Sequence, residues 1–129
     1  MEANKYNERI TLADGEYRFA EIIWESEPVN STELVRLAGE KLGWKKATVY
    51  TVLRKLCEKG IMQNIDATVT SLIPKEEIQR NASIDFMEKN FHNSIPAFLA
   101  AFLKDKKLTQ KEAQEIQQLI KEASDGDNH

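Results

Sequence analysis

Hydrophobic residues along this chain recur first at helical spacing, then at strand spacing, then at helical spacing again. In LADGEYRFAEIIWES, Tyr17, Ala20, Ile23 and Trp24 share one helical face, with Asp14 and Glu16 near the start where the helix dipole favours acids. A helix is predicted over about 14–25, and EPVN reads as a turn. NSTELVRLAGEKLG follows, with Leu34, Leu37 and Ala38 as its stripe and a helix over about 31–42. Asn30 with Glu33 three residues later reads as a capping box, and Gly43 as the stop. A third helix runs from about 45 to 59 and ends at Gly60. IMQNIDATVTSLIP then alternates and is rich in β-branched residues. It predicts a hairpin, Ile61–Ile65 against Thr68–Ile73, turning through Asn64–Ala67. Helical spacing returns over 75–90 and again over about 94–104. Thr109 and Glu112 form a second capping box that opens a last helix to about Ala123, before the frayed tail SDGDNH.

Helices joined by a short Gly-containing turn, with a hairpin just after, match a winged helix-turn-helix. The third helix is the test of that match. At about 100° per residue, Val49, Val52, Leu53 and Leu56 gather on one face. Ala47, Thr51, Arg54 and Glu58 lie opposite, Thr48, Tyr50 and Lys55 flank them, and Lys45 and Lys46 stand at the start. A recognition helix needs this layout. Its apolar face packs on its neighbours, while its outer face stays slim enough for a major groove and carries methyl and hydroxyl groups for base edges. The lysines and open N–H groups of its first turn suit phosphates. Ala47, Tyr50 and Thr51 are therefore expected at base edges, and Lys45, Lys46, Thr48, Arg54 and Lys55 at phosphates. β-branched Thr48, Val49, Thr51 and Val52 cost some helix propensity, although the segment reads as a helix.

Global charge adds little, because the 129 residues carry a net charge of only -3. Local charge changes the picture: from Lys41 to Lys59 six basic residues oppose the single Glu58, giving +5. A solvated helix face is the plainer account of such charge. The length suits one compact domain or two very small ones. One cysteine, Cys57, excludes an internal disulfide and a multi-thiolate metal site, and suits a reducing cytoplasm. Cys57 reads as a small buried hydrophobe, and Trp24 and Trp44 as packing residues. MEANKYNERI has no apolar signal region, and no run is long enough for a membrane span. The expected location is cytoplasmic.

Catalytic patterns are absent: there is no Gly-rich phosphate loop and no nucleophile-base spacing. Glu88 and His92, near Asp85, read as a polar surface face and not as a metal site. No cofactor, no metal and no enzymatic activity are expected. In the C-terminal half, four of the five phenylalanines, Phe86, Phe91, Phe98 and Phe102, fall within 86–102, joined by Leu99, Leu103, Ile116, Leu119 and Ile120. Some 55 residues bury little of this within one chain. Such surface marks a partner interface, for which a two-fold homodimer is the commonest solution. Phe91, Ile95, Phe98, Leu99, Phe102, Ile116 and Ile120 are the expected interface. Packing back onto the winged helix is the alternative. The expected division is a winged-helix DNA-binding domain over 1–74 and a helical dimerisation domain over 75–129.

Trp44, the run Thr48 to Leu56 and Glu58-Lys59-Gly60 resemble the recognition helix of the penicillinase repressor family of bacterial regulators. EIIWES resembles the end of that family's first helix, PVNSTELVRLAGEKLGW its second helix and turn, and FLAAFLKDKKLTQKEAQEIQQLIKE its C-terminal dimerisation segment. The resemblance spans about Leu12 to Glu122. It implies a mainly α protein: a winged helix-turn-helix domain with a small two-stranded hairpin, then a helical dimerisation domain. It also implies a dimeric repressor that binds a short double-stranded DNA dyad operator. In β-lactam-responsive members a membrane sensor signals and the repressor is cut in its dimerisation domain, which implies a signalling protease or sensor of unknown identity as a further partner.

Several positions depart from the family pattern. Lys45 stands where members commonly place a Ser or Thr cap. The wing carries Asp66 and no basic residue. Ala101-Phe102 stands where resistance repressors have an Asn-Phe bond, and the C-terminal cysteine cluster of copper-responsive members is missing. The acid-tipped wing keeps a second function open, a winged-helix protein-interaction module that does not bind DNA.

Overall fold

The computed structural model describes residues 9–126. Most of MEANKYNERI and the end of the C-terminal tail lie outside these residues. The elements are α1 (Asp14–Ser26), β1 (Val29–Asn30), α2 (Ser31–Leu42), α3 (Lys46–Glu58), β2 (Met62–Ile65), β3 (Thr68–Ser71), α4 (Lys75–Phe91), α5 (Ile95–Leu103) and α6 (Gln110–Gly126). The fold is mainly α, a winged helix-turn-helix followed by helices. Among the described residues no helix is long and apolar enough to cross a membrane.

Contacts divide the chain into two compact units, Met1–Phe86 and Met87–His129. In the first unit Phe19, Ala20 and Ile23 of α1, Leu34 and Ala38 of α2, and Val49, Leu53 and Leu56 of α3 bury their side chains together. Ile61, Met62 and Val69 close this core from the hairpin side, and Ile78 of α4, 1% exposed, completes it. The unit therefore reaches past Pro74. Asn81 Nδ2 donates to the Ile10 carbonyl, and Arg9 pairs with Asp85, so residues 9 and 10 are fastened to the same stretch of α4.

Two glycines shape the helix-turn-helix. Gly43 ends α2 at φ 72°, with Trp44 N–H returning to the Ala38 carbonyl. The Trp44 ring then stacks on Phe19 with centroids 5.4 Å apart. Gly60 ends α3 at φ 79°, with Gly60 N–H on the Cys57 carbonyl and Ile61 N–H on the Leu56 carbonyl. That double bond is the glycine-dependent Schellman closure, and it turns the chain straight into the hairpin.

The sheet has three strands in the order β1-β3-β2, not the two of the expected hairpin. Val29 and Asn30 stand opposite Val69 and Thr68. A two-residue strand has no alternation to reveal it, and it forms only because β3 offers a free edge. Glu27 holds the same edge: its carboxylate accepts from Ser71 N–H at 2.7 Å and from the Ser71 hydroxyl at 2.9 Å. Trp24 Nε1 donates to the Ile73 carbonyl, which ties α1 to the end of the hairpin.

The hairpin turn is shorter than the expected Asn64–Ala67. Asn64 and Ile65 remain paired, opposite Val69 and Thr68, and only Asp66 and Ala67 turn, at φ 52° and 65°. A two-residue turn with both φ positive matches the twist of the flanking strands. The Asn30 cap is also simpler than a capping box. Its Oδ1 accepts from Thr32 N–H, while the Glu33 carboxylate is held by Arg36. The Thr109 and Glu112 box forms as expected, with Thr109 N–H donating to Glu112 and Glu112 N–H to Thr109 Oγ1. Helix α6 runs on to Gly126, three residues beyond the expected end, because nothing before Gly126 breaks a helix.

Candidate nucleic-acid interface

Helix α3 is positioned by its apolar side. Val49 and Leu56 are fully buried, Leu53 nearly so, and Val52 partly. Lys45, Lys46, Ala47, Thr48, Tyr50, Thr51, Arg54 and Lys55 are all exposed. The face sorted by spacing alone is thus the solvent face of the folded unit.

The start of α3 is open. Lys45 is its N-cap residue, with φ -81° and ψ 158°, and makes no side-chain cap bond; no acid stands in the first turn. A Ser or Thr there would accept one of the early N–H groups. The Lys45 side chain has no acceptor, so the early N–H groups go without a side-chain cap beside two ammonium groups, a combination suited to an anion. Among the described residues Lys41, Lys45, Lys46 and Lys55 form no ion pair. Arg54 lies 3.9 Å from Glu58, and Lys59 pairs with Glu16 at 2.8 Å. Lys59 therefore serves the packing of α1 beside α3. Burial alone would raise the Glu16 carboxyl. The Lys59 ammonium, the Ala13 N–H and the positive charge of Lys55 outweigh that and hold it below the ordinary range.

Tyr50 is the exception on the outer face. It is 36% exposed, and its hydroxyl points to Ser31 Oγ, 3.4 Å away. Ser31 was not singled out by sequence, because its burial depends on where α2 begins against the wing. The wing is neutral but for Asp66: no Lys or Arg occurs between Gly60 and Lys75. Gln63 and Thr70 bond across its outer face.

Cys57 is half-buried; burial, and then the Glu58 charge, push its thiol up, which disfavours the thiolate. Glu88 and His92 do not share a helical face, because α4 ends at Phe91 and His92 turns to φ 48°. Among the described residues no group of three or more His, Cys, Asp or Glu is placed to hold a metal.

In the second unit α5 buries none of its residues. Phe91 packs edge-on against Phe98 at 5.5 Å, and Phe98 stacks on Phe102 at 5.7 Å. Ile95 is 62% exposed, and Phe102, Leu119 and Ile120 are also exposed; Leu99 and Ile116 are partly covered. The Lys106 ammonium sits 4.6 Å from the centre of the Phe102 ring.

The family model described as penicillinase repressor matches residues 12–122. The penicillinase repressor of Bacillus licheniformis is 21% identical over 115 residues, which cover 86% of this chain and 90% of that protein. An uncharacterized 16.5 kDa protein of Latilactobacillus sakei is 26% identical over 113 residues, covering 84% of this chain and 77% of that one. A solved MarR protein from Peptoclostridium difficile superposes with a TM-score of 0.42 at 20% identity, across 89% of this chain and 70% of that one. With a family match that runs through α3, the hairpin and the C-terminal helices, this chain belongs to the penicillinase repressor family.

Proposed function

We propose that this protein is a dimeric, sequence-specific DNA-binding transcriptional repressor that reads a short dyad operator with α3. The observation that carries this reading is the open, lysine-flanked start of α3, followed by a small hydroxylated face that is wholly exposed while the opposite face is buried. In this reading Ala47 and Thr51 meet base edges, and Lys45, Lys46, Thr48, Arg54 and Lys55 hold phosphates and set the register. Tyr50 lies beside them. The second unit supplies the homodimer through the exposed apolar side chains of α5 and α6, with Phe98, Phe102, Ile95 and Ile120 in or near the contact. A protease or sensor that relieves repression is part of the same proposal.

A mobility shift with random-sequence and selected duplexes at two salt concentrations tests it. Binding that weakens steeply with salt and favours a selected dyad supports the repressor. Absence of binding at low salt favours the protein-interaction module, for which the acidic, lysine-free wing is the supporting feature.

A further inference from the structure

Three elements meet at the first residue of α2. Ser31 is only 6% exposed. Its backbone N–H donates to the Ala67 carbonyl at the wing tip, 2.8 Å away. Its hydroxyl accepts from Tyr50 Oη on α3 at 3.4 Å. The residue before it is fixed as well: Asn30 pairs with Thr68 beside the tip, and its side chain caps Thr32. One serine thus touches the wing through its backbone and the recognition helix through its side chain.

We propose that Ser31 and Tyr50 are a positioning pair that sets the wing against the recognition helix, so that Tyr50 contributes to operator discrimination through Ser31 and not by reading a base. The inference rests on the DNA-binding reading above and deepens it. Two features support it. With no Lys or Arg, the hairpin has no strong attraction of its own to phosphate, so its place over DNA must be set by the protein. The carbonyl that Ser31 holds belongs to Ala67, whose left-handed backbone is unusual for a residue with a Cβ and keeps the acceptor at one defined place. The Tyr50 hydroxyl lies 3.4 Å from Ser31 Oγ, turned toward the start of α2.

The test uses the full chain and four proteins: the parent, Tyr50→Phe, Ser31→Ala and the double variant. The strongest duplex selected from a randomised library serves as operator, and its scrambled sequence as control. Each single variant should lose about two- to fivefold of the preference for operator over control, the lower part of the range for one neutral hydrogen bond. Thermal midpoint and affinity for the control duplex should hold, and the double variant should lose no more than either single one. In the DNA-free protein, Tyr50→Phe should speed exchange of the Ser31 amide by a similar factor. Independent, additive losses would overturn the pairing, as would unchanged Ser31 exchange. A loss in Tyr50→Phe that Ser31→Ala does not share would make Tyr50 a direct DNA contact. A parent that binds no duplex would defeat the repressor reading and the discrimination role together, while the exchange measurement would still show whether the pair holds the wing.

Discussion

Ala67 has a Cβ at φ 65°, where L-residues with side chains lose roughly 1–2 kcal/mol. Glycine is the usual second residue of such a turn. Ala67→Gly should therefore stabilise the protein by about 0.5–1 kcal/mol, the strain relieved less the extra freedom of glycine in the unfolded chain. A urea melt with an unchanged slope checks this; a destabilised variant would mean that the Ala67 methyl packs usefully. Asp66 precedes it at φ 52°, a conformation that Asp and Asn tolerate better than most residues. The acid at the wing tip thus has a backbone reason as well as an electrostatic consequence. Asp66→Asn keeps the turn and removes the charge, so it should tighten binding to any duplex, most at low salt where screening is weakest. Weaker binding would show that the carboxylate itself makes a favourable contact. Glu16 gives a pH prediction. Its folded carboxyl titrates below the ordinary value of 4.5, so its contribution is present above that value and lost as pH falls through the folded one. Glu16→Gln should be less stable than the parent at neutral pH, with the difference shrinking below about pH 4 in parallel acid titrations.

At the scale of elements, α3 buries one face and exposes the other, and the repressor reading puts recognition on the exposed one. Leu53→Ala on the buried side should cost about 2–5 kcal/mol of folding stability. Lys46→Ala on the open side should leave stability near the parent's, weaken all duplexes alike and flatten the salt slope by about one unit. Thr51→Ala should instead shift operator preference by roughly 1–3 kcal/mol. If neither outer-face change alters binding, α3 is not the reading helix. Helix α4 begins in the core of the first unit through Ile78 and Asn81. A chain ending after Phe86 should fold cooperatively, whereas one ending after Pro74 loses the Ile78 side chain from the core and should melt markedly lower.

At the scale of the whole molecule, the proposed homodimer places its contact on the exposed aromatic and aliphatic side chains of α5 and α6. Sedimentation should give a dimer for the full chain and a monomer for the chain ending after Phe86. Two subunits would place half-sites about one helical turn apart, so inserting half a turn of DNA between them should abolish cooperative binding. Phe102→Glu should shift the full chain toward monomer and weaken operator binding without unfolding the first unit. A dimer that survives both changes would place the interface elsewhere.

The chain's own pattern determined the helices, because apolar spacing repeated over successive turns outweighs any single residue, and it determined the two faces of α3, because rotation per residue is fixed once a helix forms. The glycine stops at Gly43 and Gly60 were legible for the same local reason: a positive φ at a helix end has few occupants. Tertiary structure decided what needs two distant segments. Strand β1 exists only against β3, since two residues carry no period of their own. The expected Glu33 box gave way to Arg36, because a carboxylate chooses among the partners within reach. The Lys59 and Glu16 pair joins residues 43 apart, and the Tyr50 and Ser31 contact residues 19 apart. Neither separation leaves a mark on the sequence, because side-chain hydrogen bonds form by distance in space and impose no spacing along the chain. The exposed face of α3 is local and can be read from one helix; the contacts of Ser31 with Tyr50 and Ala67 are not.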